Sequence, residues 1–309
     1  MALDVYSEIW NKVKLRCPAA SSLLCRDWVN NAFRQVSERR RWSWLLKRGQ
    51  FIMPAVYNTG TVSVTHDSTA VVGTGTTFTS AMVGRQFRVS TDTPIYTVST
   101  FTDTTNLVLD QSYGGDTDTS ASYEIYQAYV TAPADFHAFK SVWDPKRNWQ
   151  LYLSLTQEDL NSYDARRSSG GSSAWAVVPY LYDTTSSPPL PRFELWPHQK
   201  TQYVYPFLYE ARLSDLEDSG SELPRYIRGD VLLEMALAEA ARFPGTDSRP
   251  NLYYNLKLSI LHEQRVEKMV VVMERQDDEV YEQDIYYQTQ DYPPVPWASA
   301  SWIQDHALG

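Results

Sequence analysis

The chain has 309 residues, 43% of them hydrophobic, which is enough to bury the core of one large or two modest domains. Its net charge of -9 argues against a uniformly basic nucleic-acid-binding protein, because neutralising phosphates requires an excess of Lys and Arg. The first residues lack the pattern of a secretory signal, and no run approaches the roughly 20 apolar residues that span a bilayer. We therefore expect synthesis in the cytoplasm and no contact with a membrane.

The N-terminal part of the sequence predicts two helices. An i, i+4 stripe predicts the first over residues 4–16, ending before Pro18. A Ser21 cap begins the second, which we expect to run on towards Gly49. Cys17 and Cys25 are too few for a disulfide scaffold and have no histidine cluster beside them, so we expect buried free thiols.

A basic segment with interleaved tryptophans follows the second helix. It is open to three interpretations: a nucleic-acid patch, cations that favour a helix C-terminus, or a surface that pairs with acidic residues 277–279 of a neighbouring subunit. We favour the last two because the whole chain is acidic. The residues predicted to contact another subunit are Arg39, Arg40, Arg41, Trp42 and Trp44.

The composition changes at about residue 56. Residues 56–127 are rich in Thr, Ser, Val and Gly, and short alternating runs such as Thr61–Thr65 are separated by turn residues. This pattern predicts a small all-β barrel or sandwich module inserted into a host domain. The host domain would consist of residues 1–55 and 128–275.

The second part of the host domain begins with aromatic strands punctuated by prolines. We predict a hairpin between residues 193–197 and 202–205. Two helices follow, one from about Tyr226 to Phe243 and one from near Pro250 to about Arg275. The fold class is therefore α+β, with a helical bundle body, β strands, the inserted module and an extended C-terminal tail.

Residues 276–309 form that tail, or arm. Prolines and charges prevent a core of its own, yet the aromatic residues are too many for an inert linker. We expect the arm to fold onto a partner, with wrapping around its own subunit as the alternative. Its predicted anchors are Tyr281, Ile285, Tyr286, Tyr287, Tyr292, Trp297 and Trp302.

No pattern in the sequence indicates catalysis or a cofactor. The histidines are too far apart for a local metal site, and residues 73–75 lack the Lys of a phosphate-binding loop. Glu194 and Asp183 are the best pair for a carbohydrate-active enzyme, which is the weakest of the alternatives. We therefore expect no catalytic residues, no metal and no cofactor.

The order of these parts resembles the head-to-tail adaptor, or connector, proteins of tailed bacteriophages. The resemblance lies in residues 27–32 leading to 42–45, in 195–197 with 205–209, and in 213–216 with 223–227 and the Ala-rich helix. The insert around residues 73–85 is similar to small β modules of phage virion proteins.

The resemblance implies a virion protein made in the host cytoplasm that forms a ring, commonly of twelve copies, below the portal. It implies that the ring extends the DNA channel, passes double-stranded DNA without reading its sequence, and attaches tail nozzle, tube or fibre proteins. It also implies that the C-terminal arm docks on the portal. A different tail subunit, such as a tube, baseplate or fibre-attachment protein, is the main alternative.

Overall fold

A computed structural model describes residues 5–90, 94–168, 170–171, 173–217, 223 and 227–290, with the backbone alone described for residues 280–290. The chain forms two compact units. The helical unit comprises residues 1–45 and 213–309, and the β unit comprises residues 46–212. The helices are α1 (Tyr6–Arg16), α2 (Ser22–Glu38), α3 (Gln157–Asp164), α4 (Gly229–Arg242) and α5 (Leu256–Gln290).

The helical unit is held together by apolar stripes on α1, α2, α4 and α5. Ile9 and Val13 of α1 are fully buried in the same cluster as Phe33 of α2 and Ala236 of α4. The Ser21 side chain caps α2 by accepting a hydrogen bond from the Leu24 N–H at 3.1 Å, as predicted. Alanines on α4 let neighbouring helices approach closely, so most of the cluster lies around this helix.

Helix α5 begins and ends later than the sequence predicts. It begins at Leu256 rather than near Pro250, because the Asn251 side-chain amide donates hydrogen bonds to the carbonyls of Ala240 and Phe243 at the end of α4, and the Asn255 side chain caps the new helix. It continues to Gln290, so the first half of the predicted extended arm is helical. Glu and Gln have good helix propensity, and the first helix-breaking residue after Arg275 is Pro293.

The strands of the β unit are β1 (Leu46–Met53), β2 (Thr61–Val64), β3 (Ala70–Thr74), β4 (Gln86–Val89), β5 (Tyr96–Phe101), β6 (Asn106–Leu109), β7 (Asp118–Ala121), β8 (Tyr123–Tyr126), β9 (Tyr129–Thr131), β10 (Phe136–Asp144), β11 (Trp149–Gln150), β12 (Gly170–Gly171), β13 (Ala176–Asp183), β14 (Leu190–Trp196), β15 (His198–Gln199) and β16 (Tyr203–Ala211). The helical unit adds the short pair β17 (Gly245–Thr246) and β18 (Arg249–Pro250).

Strands β2 to β8 form one antiparallel, half-barrel sheet in the order β7-β2-β3-β6-β5-β4-β8. Its alternating residues bury a separate apolar cluster that includes Val62, Phe87, Leu107 and Ile125. The predicted mixture of helices and antiparallel strands is therefore confirmed. The helical bundle body and the four-part division of the chain stay predictions.

The other strands of the β unit combine pairs of consecutive strands, β10–β11 and β13–β14, with pairs that are distant in the chain, such as β1–β16. One sheet has the order β1-β16-β10-β11 and another has the order β13-β14-β9. The predicted hairpin between residues 193–197 and 202–205 is wrong, because β14 pairs with β13 and β9 while β16 pairs with β1 and β10. Residues 46–53 are strand β1 and not a continuation of α2, which ends at Glu38.

None of the helices in the described part of the chain combines the length and hydropathy needed to cross a bilayer. Cys17 and Cys25 are buried free thiols, as predicted. Burial raises the pKa of Cys25 to about 11, so this thiol is protonated and unreactive at neutral pH.

A buried carboxylate fixes the turn between β10 and β11. The Oδ1 atom of Asp144 accepts hydrogen bonds from the N–H groups of Lys146 and Arg147, at 2.9 and 3.0 Å, and from the Tyr203 hydroxyl. Burial by itself raises the pKa of Asp144, but these hydrogen bonds outweigh it and lower the pKa. The ionised carboxylate therefore stabilises the fold.

We predict that Asp144→Asn lowers the free energy of unfolding by about 1–3 kcal/mol at pH 7, since it weakens charge-assisted hydrogen bonds to a buried group. Because the folded-state pKa is depressed, this contribution is complete above the unfolded pKa of 3.8 and is lost as the pH falls through the folded value. Urea denaturation at pH 7 and pH 3 measures the difference. The exposed Asp116→Asn serves as the control, and an equal loss in both variants would refute the assignment.

Candidate interaction surfaces

The predicted basic segment lies against the acidic edge of α5 in the same chain. Arg39 donates to both carboxylate oxygens of Glu267, at 2.9 and 2.7 Å, and its Nε donates to Glu274 at 3.0 Å. This fork geometry gives one guanidinium two carboxylate partners that lie about two helical turns apart on α5. Arg39 therefore fastens the end of α2 to the middle of α5.

Arg40 and Ser43 extend this contact towards the C-terminus of α5. Arg40 pairs with Asp278 and donates to the backbone carbonyl of Glu274 at 3.3 Å. Asp277 is 8% exposed, and it accepts hydrogen bonds from the N–H and the hydroxyl of Ser43. We call this set of residues, Arg39, Arg40 and Ser43 with Glu267, Glu274, Asp277 and Asp278, the α5 clamp.

The charges of the clamp reinforce each other. The hydrogen bond from Arg39 lowers the pKa of Glu267, and the hydrogen bond from Arg40 lowers the pKa of Asp278. The same contacts raise the pKa of both arginines. Glu267 is 62% exposed, so its ion pair with Arg39 contributes only about 0–1 kcal/mol by itself. The hydrogen bonds of the buried Asp277 and the pairing of Arg39 with two carboxylates fix the position of α2 relative to α5.

Trp42 and Trp44 close the segment. Trp42 is 1% exposed and its Nε1 donates to the Val36 carbonyl at 2.8 Å. It stacks on Trp44 with ring centroids 5.9 Å apart, and the Arg40 guanidinium lies 5.4 Å from the Trp42 ring centroid. Trp42 therefore belongs to the core of its own unit, while Trp44 is half-buried and Arg41 is exposed. The predicted inter-subunit role of Arg39, Arg40, Arg41, Trp42 and Trp44 stays a prediction.

The buried face of α5 follows a spacing of three and four residues. Ser259, His262, Val266, Val270 and Met273 lie on it, and Asp277 continues the series. His262 Nδ1 lies 2.6 Å from Glu234 on α4, and its Nε2 lies 2.8 Å from the Tyr253 hydroxyl. The same helical spacing, applied to the sequence, identifies an acidic side of α5. It consists of Glu267, Glu274 and Asp278.

The predicted anchors of the arm fall at the limit of the described residues. Four of them lie within α5, where only the backbone is described: Tyr281, Ile285, Tyr286 and Tyr287. Tyr292, Trp297 and Trp302 lie outside the described residues. The anchoring role of all seven residues stays a prediction.

The carboxylate pair of the carbohydrate-active alternative is occupied by structural contacts. Glu194 is 2% exposed and accepts hydrogen bonds from Arg167 at 2.6 Å and from Gln157 at 3.0 Å. Asp183 accepts from the N–H and hydroxyl of Thr185, and these hydrogen bonds lower its pKa. Burial and its partners keep Glu194 from a substrate, and a lowered pKa is opposite to what a general acid at Asp183 would need.

Among the described residues, no group of three or more His, Cys, Asp or Glu side chains is arranged to bind a metal ion. A surface that the sequence reasoning missed lies on β13, where the consecutive residues Tyr180, Leu181 and Tyr182 are all exposed, Tyr182 by 67%. The signal for it was present in the sequence, because three consecutive apolar residues in a strand put at least one on the solvent face.

A family model described as SU10 adaptor protein matches residues 96–282, which is more than half of the chain. The match includes the acidic half of the α5 clamp but not the basic half. No curated protein matches the chain.

We predict a coupling free energy of about 0.5–1 kcal/mol between Arg39 and Glu267 in a double-mutant cycle of Arg39→Ala and Glu267→Ala. The coupling should shrink in 1 M NaCl because the pair is partly exposed. Denaturant unfolding measures it. Arg34 and Glu267, which share no contact, form the control pair, and a coupling no larger than that of the control would show that the clamp does not stabilise the unit.

Proposed function

The chain belongs to the SU10 adaptor protein family, a phage adaptor family, and from this membership we propose that it forms a ring below the portal that extends the DNA channel. A phage adaptor is a structural component of the virion that interacts with other head and tail proteins. The finer proposal adds a ring of about twelve copies, docking of the C-terminal arm on the portal, and attachment of tail nozzle, tube or fibre proteins.

Helix α5 is the observation that carries this proposal. It has 35 residues, about 52 Å at 1.5 Å per residue. Its first part is buried in the helical unit and fixed by the clamp, whose last members are Asp277 and Asp278. The helical backbone continues from there to Gln290, a further ~20 Å. A rod that is anchored at one end and followed by aromatic residues is suited to reach a partner.

The charge of the protein supports passage of DNA without binding. The net charge is -9, and the most basic segment is already paired with carboxylates of α5. A channel wall of this composition repels phosphates rather than trapping them, which favours movement of the DNA. The dimensions of the ring and the residues that face the channel are part of the proposal.

We predict that Tyr292→Ser with Trp302→Ser in the full-length protein weakens binding to the purified portal ring at least about tenfold, because buried Tyr and Trp anchors contribute on the order of 2 kcal/mol each. Binding is measured by co-sedimentation and by electron microscopy of the complexes. Both substitutions lie beyond the clamp, so the subunit should fold and form its ring normally.

Leu252→Ser is the matched control, since Leu252 is an apolar residue that is 98% exposed and lies before α5. It should leave portal binding unchanged. Equal portal binding by the Tyr292 and Trp302 variant, the control and the unaltered protein would contradict docking through the arm.

A further inference from the structure

Helix α5 carries a second stripe on the side opposite its buried face. Exposed residues recur there at a spacing of three and four, as they do on the buried face. Leu261, Val271 and Val272 are 44%, 47% and 41% exposed. Apolar residues repeated along the solvent side of a helix are typical of a surface that contacts a partner. We call this set the α5 outer stripe; its members are Lys257, Leu261, Gln264, Lys268, Val271 and Val272.

The α5 outer stripe is cationic. Lys257 and Lys268 are exposed, and in the described part of the chain no ion pair involves either of them. The nearby carboxylates of Glu267 and Asp278 do not neutralise these lysines, because both are paired with arginines of the clamp. The stripe therefore presents two positive charges beside apolar surface.

Helix α2 has an exposed stripe of the opposite charge. Arg34 is the cation closest in sequence to Glu38 on this side, but its guanidinium is held by both carboxylate oxygens of Asp215. No described residue forms an ion pair with Asp27 or Glu38. An apolar residue, Leu23, is 68% exposed at the start of the stripe. We call this set the α2 outer stripe; its members are Leu23, Asp27, Asn31 and Glu38.

The two stripes match in length and in the spacing of their charges. Each is ~22 Å long at 1.5 Å per residue. In each, two like charges stand eleven residues apart, Asp27 and Glu38 on α2 and Lys257 and Lys268 on α5. Eleven residues are close to three helical turns, so both charges of a helix lie on one side of it. Both helices bury their other side in the same apolar cluster, which holds the stripes in place before any partner arrives.

We propose that the α5 outer stripe binds the α2 outer stripe of a second copy of the chain, with the two helices antiparallel. Antiparallel packing brings opposite charges, amides and apolar residues together in pairs: Asp27 with Lys268, Glu38 with Lys257, Asn31 with Gln264, and Leu23 with Val272. Parallel packing would also pair the charges. It would, however, place Leu23 beyond the start of α5 and Val272 beyond the end of α2, so that neither had an apolar partner.

The contact joins two different surfaces of the chain, so each copy offers one stripe to each of two neighbours. Contacts of this head-to-tail kind close into a ring or continue as a filament. The inference deepens the proposed function, because it names the surfaces through which copies meet, and it rests on that function for closure into a ring. The contact itself needs no portal, so the inference and portal docking can fail separately.

Cysteine cross-linking tests the register of the two helices. The full-length chain with both Leu23→Cys and Val272→Cys is treated with a short bis-maleimide, alone and on the purified portal ring. We expect a ladder of dimers and higher oligomers in denaturing gels, because every copy then has a thiol on each side. Leu15→Cys with Val272→Cys is the matched control, since Leu15 is 78% exposed but lies on α1. The native cysteines are buried.

The control pair should form at least about tenfold less oligomer, because thiols that do not face each other are not bridged by a short linker. A chain with Leu23→Cys alone or Val272→Cys alone should give no ladder. Cross-linked dimers of either single variant would show that like stripes face each other, which would contradict the head-to-tail contact.

Charge reversal tests the pairing of the stripes. Asp27→Lys with Glu38→Lys, and Lys257→Glu with Lys268→Glu, are introduced separately and together into the chain with both cysteines. Each separate reversal turns two attractions into repulsions, so we expect about tenfold less cross-linking, equivalent to ~1.4 kcal/mol. All four substitutions together should restore cross-linking to within about threefold, because the facing charges are opposite again. Circular dichroism checks that each variant is folded.

The absence of a ladder from both the isolated and the portal-bound protein would overturn the proposal. So would a fourfold variant that cross-links no better than the separate reversals, or oligomers in sedimentation that no reversal weakens, since these would assemble through another surface. A ladder from protein that does not bind the portal retains the contact between stripes and removes portal docking alone. Portal binding by protein that gives no ladder removes the contact and retains docking.

Discussion

The described part of the helical unit depends on its apolar cluster, and the contact between the end of α2 and the acidic edge of α5 fixes the polar side of α5 against it. Arg39 joins Glu267 and Glu274, while Asp277 accepts hydrogen bonds from Ser43. These residues lie more than 200 positions apart in the chain. The clamp therefore joins the two segments of the helical unit, which residues 46–212 separate in the sequence. Its last members, Asp277 and Asp278, lie at the start of the predicted arm.

The packing of α5 links the stability of the helical unit to the proposed function of the arm. Val266, Val270 and Met273 bury the apolar side of α5, and the clamp secures the polar side. Helices gain most of their stability from such packing rather than from propensity. The backbone of α5 continues from this fixed base to Gln290, and under the proposed function it carries the aromatic residues of the arm towards the portal.

Local patterns in the sequence predicted the parts of the fold that depend on neighbouring residues. The Ser21 cap, the stripe of Ile9 and Val13 and the alternating strands of the half-barrel sheet are of this kind. The predicted hairpin at 193–205 was wrong because β16 pairs with β1 and β10, and β14 pairs with β9 as well as β13. Local turn signals do not encode pairing with strands that are distant in the chain. The extension of α5 was missed because residues 276–309 were taken as one extended arm whose acidic residues face a neighbouring subunit, whereas Arg40 pairs with Asp278 of the same chain.

Electron cryomicroscopy of this protein bound to the purified portal ring tests the central claim most directly. The account predicts a closed ring of subunits beneath the portal, with α5 held at the clamp and density for the arm running from Gln290 onto the portal surface. A map in which the subunits contact the portal through another surface, with no arm density on the portal, would contradict it.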